Sequence, residues 1–508
     1  MLPTKSFTVL KRAGEALLQR KEFFFCGTIL EAFSGSELYL VGGTVRDLLL
    51  KRPMKDYDLV VRGVSLSKLQ TLLKDLGTVN LVGKKFGVLK FTPRESNMII
   101  DIALPRTEFS LTNTGQYRDF AIQSDYRMSI ENDLARRDFT INALAYDLRA
   151  GKLLDPWGGM NDLSSRTIRA VGDPHTRFQE DYTRVLRAVR FSCQLGFVIA
   201  PHTLRAVKEY VGRLNDEIKG ERVVPYELVS REMIKALVSD TVVAFDYFDT
   251  LGIFECFMPE LTIMKRCPQP KQWHSEGDVW THTRLALQSL SSKAFVKEFD
   301  STPPSALLIL AVLLHDIGKP LTIKTPKKDH VSRIRFDGHD RVGAVSARSI
   351  CERLRTSSVE GYGVDPEHIH WLVKNHLLIL NADLSTLKNT TIERYFFRDA
   401  ILGSALLQLS YADGAGSITQ RGVKGLDRYR TFKKRLVLFK KTAGMKRALP
   451  KSILDGDEIM KITKLNPGPD IGRLLTVLRE EQLAGRIKTK GKAKKFITAT
   501  QNSNVKTQ

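Results

Sequence analysis

The hydrophobic pattern of the chain changes several times, and each change predicts a different kind of element. Between residues 36 and 150, short apolar runs (ELYLVGG, YDLVV, FGVLKF, MIIDIAL) alternate with segments of helical period, TVRDLLL and LSKLQTLLKDLG. Runs of that length bounded by turn residues read as strands and the intervening spacing as helices, so this stretch predicts a mixed α/β domain. From about residue 151 helical periodicity dominates, in DYTRVLRAVRFSCQLGF, HTLRAVKEYVGRL and PYELVSREMIKALV. Pro268 and Pro270 interrupt it at RCPQPKQWH, and a second helical stretch, rich in histidine, follows to about residue 415. The expected layout is a helical extension over 1–35, an α/β head over 36–150 and a helical neck and body over 151–262. An all-α domain over 263–420 and a basic region over 421–508 follow, the last ending in a Ser/Asn/Gln-rich tail that reads as disordered.

Composition narrows the partner. A chain of 508 residues with 42% hydrophobic and 27% charged positions is globular and has room for several domains. No apolar run approaches the ~18 residues of a membrane span. The net charge of +23 calls for a polyanionic partner, nucleic acid ahead of an acidic membrane surface. Cys26, Cys193, Cys256, Cys267 and Cys351 show no CxxC spacing, which suits a reducing, cytoplasmic compartment and no structural zinc. The basic, mildly amphipathic N-terminus lacks a signal-peptide core and reads as a first helix in preference to an organellar transit segment.

The stretch LVGGTVRDLLLKRPMKDYDLVV, residues 40–61, carries the first chemistry. In a strand, Asp56 and Asp58 project to one face and Tyr57 to the other. Two carboxylates so placed repel unless a cation neutralises them, and hard oxygen ligands suit Mg²⁺ or Mn²⁺. A lone DxD is more often a solvated strand end, so its surroundings decide. Gly42 and Gly43 end a strand and open a helix, where backbone N–H groups approach phosphates closely, and Arg46 lies one helical turn on. Asp101 sits among apolar strand residues, where an isolated carboxylate is costly unless it is a third ligand or assists a nucleophile. Glycines, carboxylates and an arginine together make a phosphoryl-transfer site.

Two further segments add to it. In RRDFTINALAYD, Arg136 and Arg137 precede a turn and Asn142 is expected in a helix, capped by Asp138 or Thr140. In FQEDYTRVLRAVRF, Asp181, Arg184, Arg187 and Arg190 recur every three residues and form a drifting helical stripe. A salt-bridged surface is the ordinary reading of such a stripe. The chemical one is a carboxylate acceptor beside a guanidinium donor, which fits the Watson–Crick edges of C and A and not those of U and G.

These segments, with DIALPRTE and LLDPWGGMNDL, resemble in order and spacing the class II tRNA nucleotidyltransferase/poly(A) polymerase family over about residues 38–260. The resemblance implies a polymerase-β-like nucleotidyltransferase head, a mixed sheet with helices, followed by an all-α neck and body that binds RNA. It also implies Asp56 and Asp58 as catalytic ligands of Mg²⁺, with Asp101 as a further catalytic residue. Gly42, Gly43, Arg46, Arg137, Asp181, Arg184, Arg187 and Arg190 would bind nucleotide. Two activities share the family, addition of CCA to tRNA from CTP and ATP, and poly(A) tailing of RNA 3′ ends. LVGKKFGVLKF, residues 81–91, leans both ways.

The histidine-rich stretch tips the balance. WTHTRLAL, LLHDIGKP and LSYADGAG supply His282, His315, Asp316 and Asp413, and over about 270–415 they resemble the H…HD…D pattern of HD phosphohydrolases. That resemblance implies an all-α HD domain in which the four residues hold a divalent metal such as Ni²⁺, Co²⁺, Mn²⁺ or Mg²⁺, with His339 and His376 as candidates for a second ion. The lead-in CPQPKQWHSEGDVWTHT is close to that of bacterial CCA enzymes with a C-terminal HD domain. CCA addition to tRNA is therefore the favoured reading. Poly(A) tailing, and an RNA-end phosphohydrolase whose N-terminal half only positions RNA, remain the alternatives.

Overall fold

The computed structural model describes residues 3–505, apart from 55, 83–87, 111–114, 116–119 and 446–447. The basic turn of LVGKKFGVLKF lies outside the described residues. The chain divides into two compact units, Met1–Phe257 and Met258–Gln508.

The first unit is organised by a mixed sheet. Strands β1 (Glu37–Val41), β2 (Tyr57–Arg62), β4 (Val88–Pro93) and β5 (Ile100–Ala103) form where the apolar runs predict, while β3 (Gly77–Val82), which none of those runs covers, pairs antiparallel with β4. A separate hairpin, β6 (Arg106–Ser110) and β7 (Phe120–Ser124), follows, and then β8 (Ala145–Asp147) and β9 (Lys152–Leu154). The seven-stranded sheet runs β3-β4-β5-β2-β1-β8-β9. Its β2–β5 pair is parallel and sets Asp58 opposite Asp101. The pleat sends Tyr57 to the other face, where it is buried against Phe23 at 4.8 Å between ring centroids and accepts a 2.9 Å hydrogen bond from Arg20. Phe25 packs likewise on Phe91 of β4. The N-terminal helices Pro3–Leu18 and Phe24–Ala32 therefore complete the back of the sheet, burying Leu10, Leu17 and Ile29.

Three local expectations change. ALAYD of RRDFTINALAYD is not helical: a single turn, Thr140–Asn142, leads directly into β8, which pairs with β1. Small and apolar residues allow a helix by propensity, but an unpaired edge of β1 offers backbone partners that override it. The sheet does not end at residue 150, because the β8–β9 hairpin carries it through Leu154. The stripe beginning at Asp181 is not one helix. Helix Pro174–Glu180 stops, Asp181 is extended at φ −150°, and a new helix runs Thr183–Leu195.

The second unit is almost wholly helical. Helix Ala306–Leu314, ALLILAVLL, is apolar all round and lies at the centre of the bundle, as such helices must. Around it stand helices Val279–Ser289, His339–Arg353, Pro366–Asn375 and Ala400–Gly416. Toward the C-terminus, Gly456–Thr463, Pro469–Leu483 and Lys490–Val505 enclose a core of their own, with Leu454, Ile459, Leu478, Ala493 and Ile497 fully buried. The expected disordered tail is thus helical as far as Val505, and Gln501 still ties it to the Thr463 carbonyl at 2.9 Å. Ala493 and Ile497, four residues apart, form a buried seam that the surrounding polar residues mask in the sequence. Leu478→Ala empties the middle of this core and is expected to cost about 2–5 kcal/mol. Chemical denaturation should show that loss in the transition of the second unit, with the first unit unchanged.

Candidate functional site

The front of the head sheet opens on a cavity of about 700 Å³. Asp56, Asp58 and Asp101 line one wall, with Gly43, Arg46, Arg137, Asp181, Arg184, Arg187 and Arg190 on the others. Asp56 is exposed just before β2, and Asp58 and Asp101 are half-buried on adjoining strands. Thr44 braces this corner, its hydroxyl accepting a 2.9 Å bond from the Asp58 N–H. Burial pushes the Asp58 carboxyl up, the charges of Asp101 and Asp56 add to the shift, and Arg137 opposes it. Lys90 Nζ lies 3.3 Å from Asp101 Oδ1. Three crowded carboxylates at the end of a strand pair form a hard-oxygen set that fits a divalent cation.

Each arginine facing them is held from behind. Arg46 grips both oxygens of Asp47 at 2.9 Å and donates to Asn142 Oδ1 at 2.7 Å. Arg137 donates to Asp133 Oδ2 at 3.1 Å and Arg187 to Asp138 Oδ2 at 2.8 Å. Arg184 pairs with Glu180 at 2.6 Å, and Arg190 with Glu232 at 2.5 Å. Glycine is required beside this cluster. Gly42 has φ +64°, and a Cβ there would lie 2.4 Å from Arg137 Nη1.

The Asp181 and Arg184 side chains, expected beside each other, make no hydrogen bond to one another; only the Arg184 backbone N–H reaches the Asp181 carbonyl, at 3.2 Å. Asp181 Oδ1 accepts the Thr183 N–H at 2.8 Å, while Arg184 donates to Glu180 and to the carbonyls of Arg177 and Arg136. Of five guanidinium N–H groups Arg184 commits about three, so donors remain for a ligand. The carboxylates behind the arginines were largely missed from sequence. Asp133 was findable, standing three and four residues before Arg136 and Arg137 on a helix turn. Glu232, 42 residues from Arg190, left no local signal.

In the second unit His282, His315, Asp316 and Asp413 meet, and His339 and His376 join them. His282 Nε2 lies 3.2 Å from Asp413 Oδ1 and His315 Nε2 3.2 Å from Asp316 Oδ2. His339 and His376 Nε2 stand 3.5 and 3.8 Å from Asp316 Oδ1. Asp316 therefore sits between two ligand groups. Gly318 permits this: its Cβ would lie 2.2 Å from the His339 carbonyl oxygen, so only glycine lets that helix close on the HD turn.

The second nitrogen of each ring fixes the tautomer. Nδ1 of His315, His339 and His376 donates to the carbonyls of Val312, Phe336 and Val373 at 2.6–2.7 Å. His282 Nδ1 instead faces Glu276 Oε1 at 3.1 Å, and Glu276 also takes His274 at 2.7 Å and the Ile418 N–H. Burial holds His376 down at about 4. Burial also lowers His282, but the nearby carboxylates of Asp413 and Glu276 outweigh it and push the ring up to about 9. The four Nε2 atoms are buried without a well-directed hydrogen bond. Orphaned ring nitrogens beside carboxylates fit one or two divalent metals, since a metal satisfies those lone pairs.

Both domains and the fold are found in known proteins. Residues 38–169 match the poly A polymerase head domain family and residues 282–400 the HD domain family. The multifunctional CCA protein of Xanthomonas campestris pv. campestris (strain B100) is 37% identical over 325 residues, 63% of this chain and 71% of its own. That of Xylella fastidiosa (strain 9a5c) is 35% identical over 323 residues, 62% and 69% of the two chains. The fold is that of the Bacillus stearothermophilus CCA-adding enzyme in complex with CTP, at TM-score 0.62, 17% identity and coverage of 96% and 100%. It is also that of the Thermotoga maritima CCA-adding enzyme complexed with tRNA, at TM-score 0.59, 20% identity and coverage of 96% and 98%.

The carboxylates behind the arginines should matter for stability in a pH-dependent way. Burial alone would raise Asp138, but Arg187 holds it well below the usual carboxylate range. A carboxyl so depressed stabilises the fold fully above its unfolded pKa, about 3.9, and loses that contribution as pH falls toward its folded value. Asp138→Asn is expected to cost about 2–3 kcal/mol at pH 7. Urea unfolding at pH 7 and pH 3 should show the gap to the parent chain narrowing in acid.

Proposed function

The chain belongs to the family of multifunctional CCA proteins, and we propose that it is a template-independent nucleotidyltransferase adding C and A from CTP and ATP to the 3′ end of tRNA. The observation that carries this is the cavity in which Asp56, Asp58 and Asp101 face Arg137, Arg187 and Arg190. We assign Asp56 and Asp58 to Mg²⁺, with Asp101 beside them. A divalent ion held there supplies neutralisation of the leaving pyrophosphate and a lower pKa for the attacking 3′-hydroxyl.

The chain's own groups do the rest. Gly42 and Gly43 keep side chains away from the phosphates, and Arg137, Arg187 and Arg190 turn their free N–H groups toward the triphosphate. Arg46 anchors Asn142 behind them. Asp181 accepts from the exocyclic amino group of C or A, and Arg184 donates to N3 of C or N1 of A. U and G would set a carbonyl against the Asp181 carboxylate.

We assign the HD site to hydrolysis of phosphate esters at damaged RNA ends, with 2′,3′-cyclic phosphate and 2′-phosphate as substrates, because such ends block nucleotide addition. His282, His315, Asp316 and Asp413 would hold one ion, and His339 and His376 with Asp316 a second. The mixed N/O donors suit Ni²⁺, Co²⁺, Mn²⁺ or Mg²⁺. Glu276 keeps His282 Nε2 free for the ion. A cytoplasmic location fits five cysteines that are all unpaired. Among the described residues no helix is long and apolar enough to cross a membrane.

The two sites should fail separately. Asp56→Asn or Asp58→Asn is expected to lower labelled CTP and ATP incorporation into tRNA lacking CCA by about 10³-fold or more. Hydrolysis of 2′,3′-cyclic AMP should survive in both. Asp316→Ala should do the reverse, and a variant that loses both activities together would reject the assignment. Asp181→Ala should blur discrimination against UTP and GTP by the ~1–3 kcal/mol of a bidentate base contact. Undiminished selectivity for C and A in single-turnover assays would remove Asp181 from base reading.

A further inference from the structure

The positive charge of the chain is not spread evenly. Residues 421–508 hold 23 Lys and Arg against 7 Asp and Glu, a net of +16 out of +23 for the whole protein. The docked C-terminal helices therefore carry an excess that the nucleotide cavity of the first unit does not use. A second cavity, of about 620 Å³, opens in this unit between helix Asn389–Phe396, the stretch Ala448–Ser452 and helix Pro469–Leu483.

Its walls are tied together. Glu480 caps the first helix, accepting the N–H groups of Asn389 and Thr390 at 2.9 and 2.8 Å. Arg479 is clamped on Glu393 and also donates to the Pro450 carbonyl at 2.9 Å. The floor is apolar, with Phe397, Leu449 and Leu475 all half-buried. The rim carries Arg394, Arg398 and Lys451, exposed and without a carboxylate partner among the described residues. Uncompensated cations around an apolar floor do not serve stability, since exposed charges gain little from one another and here repel.

We propose that this cleft binds one nucleotide of the RNA substrate, its base against Phe397, Leu449 and Leu475 and the flanking phosphates on Arg394, Arg398 and Lys451. The inference rests on the reading of the chain as a tRNA-processing enzyme and adds a contact remote in sequence from both reaction sites. Its chemistry follows from the lining. An apolar floor takes the flat face of any base, and three flexible cations track a phosphodiester backbone without reading sequence. An acidic peptide would satisfy the rim but leave the floor without a matching planar group.

The test is binding of fluorescent tRNA lacking CCA to the full chain, by anisotropy across a salt series and without CTP or ATP, so that failure of nucleotide addition leaves it unaffected. The combined variant Arg394→Glu, Arg398→Glu, Lys451→Glu alters only exposed residues. Its Kd should rise at least tenfold, and the slope of log Kd against log salt should fall by about 2, the share of three single-strand phosphate contacts. Leu475→Trp, which fills the floor, should weaken binding with the slope unchanged, its folding checked by circular dichroism. Parental Kd and salt slope in the charge-reversed variant overturn the proposal, as does displacement of tRNA by polyglutamate as readily as by an oligoribonucleotide.

Discussion

Everything in the nucleotide cavity depends on pairing buried guanidinium groups with carboxylates placed behind them. A site for a triphosphate needs several cations close together, and unpaired cations would repel one another and resist burial. Asp47 and Asp138 pair with Arg46 and Arg187, whereas Asp133, Glu180 and Glu232 are each shared between two arginines, and together they fix the direction of the cations. Phe191 fills the space among three of them, with the guanidinium carbons of Arg46, Arg187 and Arg190 at 5.2, 5.3 and 4.1 Å from its ring centre. The ring's electron-rich face tolerates that crowding where an aliphatic residue would not. The cations are thus positioned before substrate arrives, which is where electrostatic catalysis draws its advantage.

The HD site uses the same logic with the polarity reversed. Its reactive atoms are lone pairs, so the supporting groups are acceptors that occupy the other nitrogen of each ring. Backbone carbonyls one turn earlier serve three histidines, and the carboxylate of Glu276 serves the fourth. Glu276 also reaches the Ile418 N–H just beyond the helix that carries Asp413, so one buried group orients a ligand and joins two helices. Lys319 at 2.6 Å from Asp316 balances part of the carboxylate charge.

Local pattern was enough for most strands of the head and for the ionisable side chains that meet in the two candidate sites. Strands β1, β2, β4 and β5 follow from runs of apolar residues, and the DxD pleat follows from period two, because both are local properties of the chain. His282, His315, Asp316 and Asp413 were equally legible, since ionisable groups inside apolar helices are costly to bury unless a ligand or partner compensates them. What each of these groups leans on is a matter of long-range packing. The partners of Arg190 and Arg187 lie 42 and 49 residues away, the β1 edge overrode the helical propensity of ALAYD, and the break at Asp181 took it out of the helix that carries Arg184. The C-terminal helix likewise became visible only once Leu478 and Leu454 supplied a surface for Ala493 and Ile497. Local pattern records the preferences of neighbouring residues, whereas a long-range ion pair or strand pairing exists only after the chain has closed the loop between its partners.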